Sequence, residues 1–359
     1  MKALVQNSIL ALLSTALLFS CREDPAPELP PSNYSEGILI LNEGTVGAND
    51  GEVFHYNPDL DVLTPNLFET ANGRPFDGIL VDILQVGDRI YLVSSTGKVE
   101  IVNASDFTSR GTVADGLDRP SSVAVEGEKL YIADFGPENG NSTSSQAYVA
   151  VINGLDGGQV VSKIPVAVLP EIHLSTDLTL VVASQKAGKL QFVNVGSEDI
   201  GLSYDQSPTT MVGGVFVAGL GANFYTFDQD VIGLLTTLYP SFVIDSYRDY
   251  DLPNATKSFA VLSSFEFALI TSSGVSGEKD EVHIVNFNGR SPLTSVQFIE
   301  GTNLNGLGYD VSGEEFYLAD TKGGIGNGEV RIYKRDGSLV KTLSVGKNPS
   351  GFYSKERMR

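Results

Sequence analysis

Seven copies of one pattern run through the chain and constrain its fold more than any other feature. Each copy is an apolar run that ends on a small polar residue: "ILILN" (38–42), "IYLVS" (90–94), "LYIAD" (130–134), "LVVAS" (180–184), "FYTFD" (224–228), "FALIT" (267–271) and "FYLAD" (316–320). The terminal polar residues are spaced 52, 40, 50, 44, 43 and 49 residues apart. A second run follows each copy and opens on an aliphatic: Val53, Val99, Val149, Leu190, Val231, Val282 or Val330. Its usual form is a turn residue, a charge, then alternation, as in "GKVEIV" and "GEVRIY", which marks a half-buried strand. A further strand precedes each copy ("SSVAVEG", "LGYDVSG") and another follows it ("VVSKIPV", "LVKTLSV"). No long helical stripe interrupts the series. Repeats of this length made of about four strands predict an all-β, seven-bladed β-propeller, in which radial repetition protects the sheet edges.

The two ends predict how the ring closes. "NPSGFYSK" (348–355) is similar to "RPSSVAVEG" (119–127), an innermost strand, whereas "GILILNEG" (37–44) reads as a second strand. The first blade is therefore expected to be completed by the C-terminal strand, with the propeller spanning 37–355 and a tail at 356–359. The fifth copy alternates poorly and is where a register error is expected.

The single cysteine, Cys21, rules out an internal disulfide framework. It ends the run "MKALVQNSILALLSTALLFS", which has the layout of a secretory signal over 1–20 and is short and polar for a spanning helix. The junction resembles a bacterial lipobox, which implies cleavage before Cys21 and lipidation of that residue. Several acyl chains on one residue hold a protein on a membrane with no spanning helix. The following "RED" resembles the acidic export tag of Bacteroidota surface lipoproteins. Residues 21–36 contain Pro25, Pro27, Pro30 and Pro31 and read as a stiff tether. The expected location is the outer membrane, anchored by lipid and exposed at the cell surface.

Loss of residues 1–20 removes one base and leaves 23 basic against 44 acidic side chains, a net charge of −21. That charge disfavours nucleic acid and anionic membrane surfaces. His55, His173 and His283 are the only imidazoles, and no serine stands in a nucleophile elbow. The residues call for no catalytic machinery, no cofactor and no metal. The absence of tryptophan counts against quinoprotein, WD and kelch blades and leaves stacking on a planar ligand to Phe76, Phe135, Tyr148, Phe227 or Tyr250.

The stretches "ILNEGTVGANDGEVFHYNPD" (40–59), "ANGRPFDG" (71–78), "TGKVEIVN" (96–103), "LYIADFG" (130–136) and "GEVRIYKRDGSLVKTLSVGKNPSGF" (328–352) are similar to the YncE-like surface propellers of Bacteroidota, among them the BtuG-type cobalamin-binding lipoproteins. The resemblance implies a lipoprotein that captures a scarce small molecule and passes it to a TonB-dependent outer-membrane transporter. Cobalamin is the first expectation and a siderophore or haem the second. A protein-interaction or adhesion propeller and a calcium-dependent, lactonase-like enzyme are the alternatives.

Two loop sets build one face of such a propeller. In the first, joining second to third strands, the distance from the terminal polar residue to the next aliphatic is 11, 15, 11 and 10 residues in blades 1, 3, 6 and 7, and 5, 6 and 3 in blades 2, 4 and 5. The loops "EGTVGANDG", "SSGVSGEKD" and "TKGGIGNG" of neighbouring blades 1, 6 and 7 are expected to form one raised wall, with Glu43, Asp320 and Lys322 at their bases and "FGPENGNSTSSQAY" of blade 3 across from it. The second set carries Arg74, Asp77, Arg119, Lys257 and Lys347, read as a basic ring with an acidic neighbour, and Asn254, Asn303, Asn305 and Asn348 as amide donors and acceptors. Asn, Pro and Arg in such loops also serve ordinary turns and bracing, the bland reading for any one of them. Asn42, Ser94, Asp134, Ser184, Asp228, Thr271 and Asp320 read mainly as turn starters. A calcium site of Glu43, Asp134 and Asp320 is disfavoured because no compact calcium loop is present.

Overall fold

The computed structural model describes residues 34, 36–137, 146–176, 179–184, 187–205, 210–217, 221–228, 231–238, 243–244, 249–251, 255–263, 266–275, 277–286 and 294–354. The expected signal, Cys21 and nearly all of the tether lie outside the described residues, as does Asn254. Among the described residues no helix is long and apolar enough to cross a membrane.

The strands form seven antiparallel sheets, six of four strands and one of five. In six of them the strands follow in chain order from innermost to outermost. In blade 2, for example, Leu80–Val86, Arg89–Ser94, Lys98–Asn103 and Ser109–Val113 pair in turn. Blade 1 differs as expected: its innermost strand is C-terminal Pro349–Tyr353, which pairs with Ile38–Asn42, followed by Glu52–Asn57 and a short Val62–Thr64. The register sets Leu39 against Tyr353 and Leu41 against Gly351. Contacts between consecutive innermost strands run from Leu80–Val86 through Pro120–Glu126, Pro170–Thr176, Thr210–Val217, Ala255–Ser263 and Leu304–Asp310 to Pro349–Tyr353, which touches Leu80–Val86 again. The ring is therefore closed, and this is a seven-bladed β-propeller.

The seven apolar runs are the second strands, and each strand ends on the expected polar residue. They are apolar at every position because both faces of each blade are covered. Ile38 and Ile40 pack towards blade 7 with Tyr317 and Val330, while Leu39 and Leu41 pack towards blade 2 with Leu80 and Leu92. Tyr91 and Val93 face blade 3, and Ile90 and Leu92 face blade 1.

The third strands of blades 6 and 7 alternate buried and part-exposed residues as expected, whereas in blades 1, 2 and 4 the polar positions are buried as well. His55, Glu100 and Gln191 are polar yet only 5%, 1% and 7% exposed. Each is bonded: His55 Nε2 to the Glu36 carbonyl, Glu100 to Arg74 and Lys98, Gln191 Oε1 to the Ala167 N–H. Burial pushes the His55 imidazole below its ordinary value. In blade 5 the outermost strand is split into Val243–Ile244 and Asp249–Asp251, both paired with Val231–Leu238. That break is why the fifth copy reads poorly.

A six-residue helix, Leu67–Asn72, fills the connection from blade 1 to blade 2 and buries Leu67 and Phe68. Its first N–H groups are capped from outside by Glu52, whose carboxylate accepts from Phe68 and Glu69 at 2.9 Å. Burial raises Glu52 above the ordinary carboxylate range despite those bonds.

Candidate ligand-binding face

The polar residue ending the second strand is buried in the six blades where its side chain is described, and in blades 2, 3 and 4 it is a fastener. Asp134 is fully buried and accepts three backbone N–H bonds, from Asp118 at 2.8 Å, Arg119 at 3.0 Å and Gly136 at 2.7 Å. Ser94 Oγ bonds the Asp77 carbonyl and Ser184 Oγ the Val168 carbonyl. In all three blades the residue clips the connection arriving from the previous blade to its own turn. Asp320 instead receives the Lys322 N–H at 2.8 Å and the Arg331 guanidinium. The turn-starter reading thus describes their geometry, and Asp134 and Asp320 are filled with protein donors.

Of the expected basic ring, Arg74 and Lys347 are paired with carboxylates, whereas Arg119 is held by a backbone carbonyl and an aromatic ring. Arg74 pairs with Glu100 at 2.9 Å and lies 4.7 Å from the centre of the Phe68 ring, on the blade 1–2 helix. Arg119 Nε donates to the Gly136 carbonyl at 2.9 Å, and its guanidinium sits 6.0 Å from the Phe135 ring. Lys347 pairs with Asp50 at 2.8 Å and Lys322 with Glu329 at 2.7 Å. Burial works to raise Asp50 and Glu329, and their cationic partners more than offset it, so both stay below the usual range. Phe76 is a core residue, 1% exposed and edge-on to Phe68 at 5.5 Å. Asp77 is exposed. The Tyr148 hydroxyl donates to Asp118 Oδ2 at 2.8 Å and the Lys163 ammonium lies 3.9 Å from the centre of its ring; desolvation first, then Asp118, raise the hydroxyl far above the ordinary phenol value. Phe227, Tyr250 and Lys257 lie in the strands Gly221–Asp228, Asp249–Asp251 and Ala255–Ser263, with side chains outside the described set.

Four candidates do converge. Glu43, Asn303, Asn305 and Asn348 line one cavity of about 410 Å³ on the loop face of blades 6, 7 and 1, together with Ser272, Asp280 and Thr321. The bases of the long loops build it. The Gly44 N–H donates to the Lys347 carbonyl at 3.1 Å, and Asn348 Nδ2 returns a bond to the Gly44 carbonyl at 2.8 Å. Thr321 donates from its N–H and its hydroxyl to the Asn303 carbonyl. Asn303 and Asn348 have φ of +57° and +49°, a left-handed conformation that asparagine tolerates better than most residues. They therefore meet a backbone need and line the cavity as well.

The chemistry of the cavity is oxygen-rich and acidic. The Glu43 carboxylate is half-buried and makes no hydrogen bond or ion pair among the described residues. Asp280 is 4% exposed; its Oδ2 accepts the Leu304 N–H at 2.8 Å. No Lys or Arg lines the space among the described residues. Asp280, Ser272 and Thr321 were not singled out as residues from the sequence, although the loops holding them were; the unequal loop lengths were the available signal. No group of three His, Cys, Asp or Glu able to hold a metal occurs among the described residues.

A second cavity, about 540 Å³, opens on the opposite face between blades 2 and 3. Arg89 and Lys129 line it, and both are paired: Arg89 with Asp156 at 2.8 Å and Asp88 at 2.7 Å, Lys129 with Glu198 at 2.6 Å.

No family model matches the chain, and no curated protein matches it. Solved structures do. A candidate 6-phosphogluconolactonase from Bacteroides fragilis shares 11% identity at a TM-score of 0.60, over 90% of this chain and 99% of its own. The dihydro-heme d1 dehydrogenase NirN, solved in complex with DHE, shares 13% at 0.58, over 92% and 77%. The Swd1 (Cps50) β-propeller domain from Myceliophteria thermophila shares 14% at 0.50, over 75% and 91%. At these identities the likeness is one of fold: the chain is similar to propellers that include enzymes and non-enzymes alike.

Proposed function

We propose that the chain is a lipid-anchored, surface-displayed propeller that captures a scarce small molecule on the face of blades 6, 7 and 1 and passes it to a TonB-dependent outer-membrane transporter. One observation carries this reading: a preformed cavity of about 410 Å³ whose lining offers three asparagine amides and a half-buried carboxylate with no partner among the described residues. Cavities of this size suit a small ligand or one projecting part of a larger one. Cobalamin fits as the first candidate because its corrin ring carries amide side chains that match asparagine donors and acceptors. Pairing of Lys322 and Lys347 with protein carboxylates removes the attraction that an anionic ferric siderophore or haem would need, and ranks those ligands lower.

Binding without chemistry is the better reading of this cavity. The Thr321 hydroxyl donates to the Asn303 carbonyl and the Ser272 hydroxyl accepts the Gly274 N–H at 3.2 Å, so neither faces a base. The described imidazoles are occupied elsewhere, His55 on Glu36 and His283 on Glu281 at 3.0 Å. A rigid face assembled before the ligand arrives loses little on ordering, so many modest hydrogen bonds suffice for affinity. A tether of some fifteen residues, extended at about 3.1 Å each, spans up to about 50 Å between anchor and propeller.

The test is isothermal titration of the chain beginning at Arg22, which contains every strand of the ring, with cyanocobalamin, a ferric siderophore and haem. One-to-one binding of cobalamin is expected. Tight binding of an iron complex in its place moves the protein to the iron branch. Silence with all three overturns the capture reading.

A further inference from the structure

The three loops that build the cavity share a feature that turn geometry does not require. Each carries one large aliphatic near its tip: Val46 in 43–51, Val275 in 272–280 and Ile325 in 321–328. Their exposures are 84%, 56% and 84%; Val46 and Ile325 are the most exposed large hydrophobics among the described residues. Single exposed aliphatics are ordinary, but here three stand one apiece on the three loops whose Glu43, Ser272 and Thr321 line one polar pit, within reach of a ligand that projects from it. Val275 itself lines the pit.

Inside the pit the fixed charge is entirely negative. Glu43 has no partner among the described residues, and Asp280 is 96% buried with only Oδ2 bonded to protein. Among the described side chains, the lysines near the wall are spent on carboxylates outside the pit: Lys347 on Asp50, Lys322 on Glu329, and Lys279 on Glu281 and Glu300. An anionic group entering here would lose water and meet the Glu43 and Asp280 carboxylates, with only neutral amide and hydroxyl donors to offset their repulsion. A group that donates hydrogen bonds, above all a cationic one, would gain Glu43, Asp280 and the amide oxygens at once.

We infer that this face selects a non-anionic amphipathic molecule, with an amide or ammonium end directed into the pit at Glu43 and Asp280 and an apolar flank held by Val46, Val275 and Ile325. The inference rests on the capture reading for its biological meaning, but it can fail separately. It names the charge and shape class of the ligand and excludes carboxylate-rich and catecholate-rich complexes from this site.

The test uses three probes with one hexyl chain and different heads: hexylammonium, hexanamide and hexanoate. Each is titrated into the perdeuterated, 15N-labelled chain beginning at Arg22, and backbone amide shifts are followed. The expected order is hexylammonium, then hexanamide, then hexanoate, with at least about tenfold between first and last, as for a charge-assisted bond against a repelled one. Shifts should centre on 43–51, 272–280, 303–305, 321–328 and 346–348. Glu43→Gln should bring hexylammonium down to the level of hexanamide without changing the melting temperature. Replacing both Val46 and Ile325 by Ser should weaken all three probes together. The inference is overturned if hexanoate binds as well as hexylammonium, if Glu43→Gln leaves the order intact, or if no probe shifts these segments. If a ferric siderophore binds this face while the probes show no cationic preference, capture stands and the ligand class falls. If the probes follow the expected order and no nutrient binds, capture falls alone.

Discussion

Two cavities among the described residues, of about 410 and 540 Å³, differ in chemistry. At the blade 2–3 cavity, Arg89 and Arg110 are interlocked with Asp88 and Asp156, and Lys129 with Glu198. On the face of blades 6, 7 and 1, Glu43 has no partner among the described residues and the asparagines hold surplus donors and acceptors. Interactions that satisfy one another stabilise the fold and leave less for a visitor; of the charged groups lining the blade 2–3 cavity, only the exposed Glu128 side chain has no partner among the described residues. Unspent polar groups in a formed cavity do the reverse, contributing little to folding and much to binding. The contrast directs the functional reading to one end of the molecule.

Substitutions at four residues can break or sharpen that contrast. The largest expected effect is on a satisfied group. Asp134→Ala strands three buried backbone N–H groups and should cost about 3 kcal/mol or more, read as a fall in the urea midpoint. A cost near zero would mean that this carboxylate does not clip the blades.

Asn303 separates backbone need from ligand contact. Its φ of +57° makes Asn303→Ala strained by about 1 kcal/mol, whereas Asn303→Gly meets the backbone need and removes only the amide. The glycine variant should melt near the parent temperature and bind ligand more weakly. Equal binding by both would leave the residue as a turn former only.

The third test is acid stability at the paired end. The hydrogen bond from Arg89 holds Asp156 below its ordinary value of 3.8, so it adds stability above that pH, lost as pH falls through the lower folded value. Asp156 is half-exposed, so the contribution is at most about 1 kcal/mol. The gap between parent and Asp156→Asn should be greatest near neutrality and close below pH 3.8. A gap that widened in acid would contradict the pairing.

The smallest expected change in stability is at Glu43. Glu43→Gln removes no bond to the described protein and should alter stability by less than about 0.5 kcal/mol. A larger loss would reveal a structural role and weaken the binding reading.

The ring and its closure were legible because the repeat imposes itself on residue type. A second strand covered on both faces must be apolar throughout, and it must end on a residue able to clip the arriving connection. "LYIAD" states both requirements in five letters, and strand Lys129–Asp134 obeys them. Burial in the third strands was not legible, because a buried Glu100 held by Arg74 and Lys98 looks the same in sequence as an exposed one. The candidate residues divided for a similar reason. Asn303, Asn305, Asn348 and Glu43 lie in segments anchored by backbone bonds, so their positions follow from the loops. Arg74 and Lys347 reach along flexible stems to carboxylates that stand nearby in an acidic chain, a choice of partner that their own segments do not state.

The most direct test of the central claim is calorimetric titration of the chain beginning at Arg22 with cyanocobalamin, run beside the double variant Glu43→Gln, Asn303→Gly. The account predicts one-to-one binding by the parent and at least about tenfold weaker binding by the variant at an unchanged melting temperature. Equal affinity in both proteins would place the ligand elsewhere on the propeller, and the absence of heat with the parent would contradict capture of this ligand.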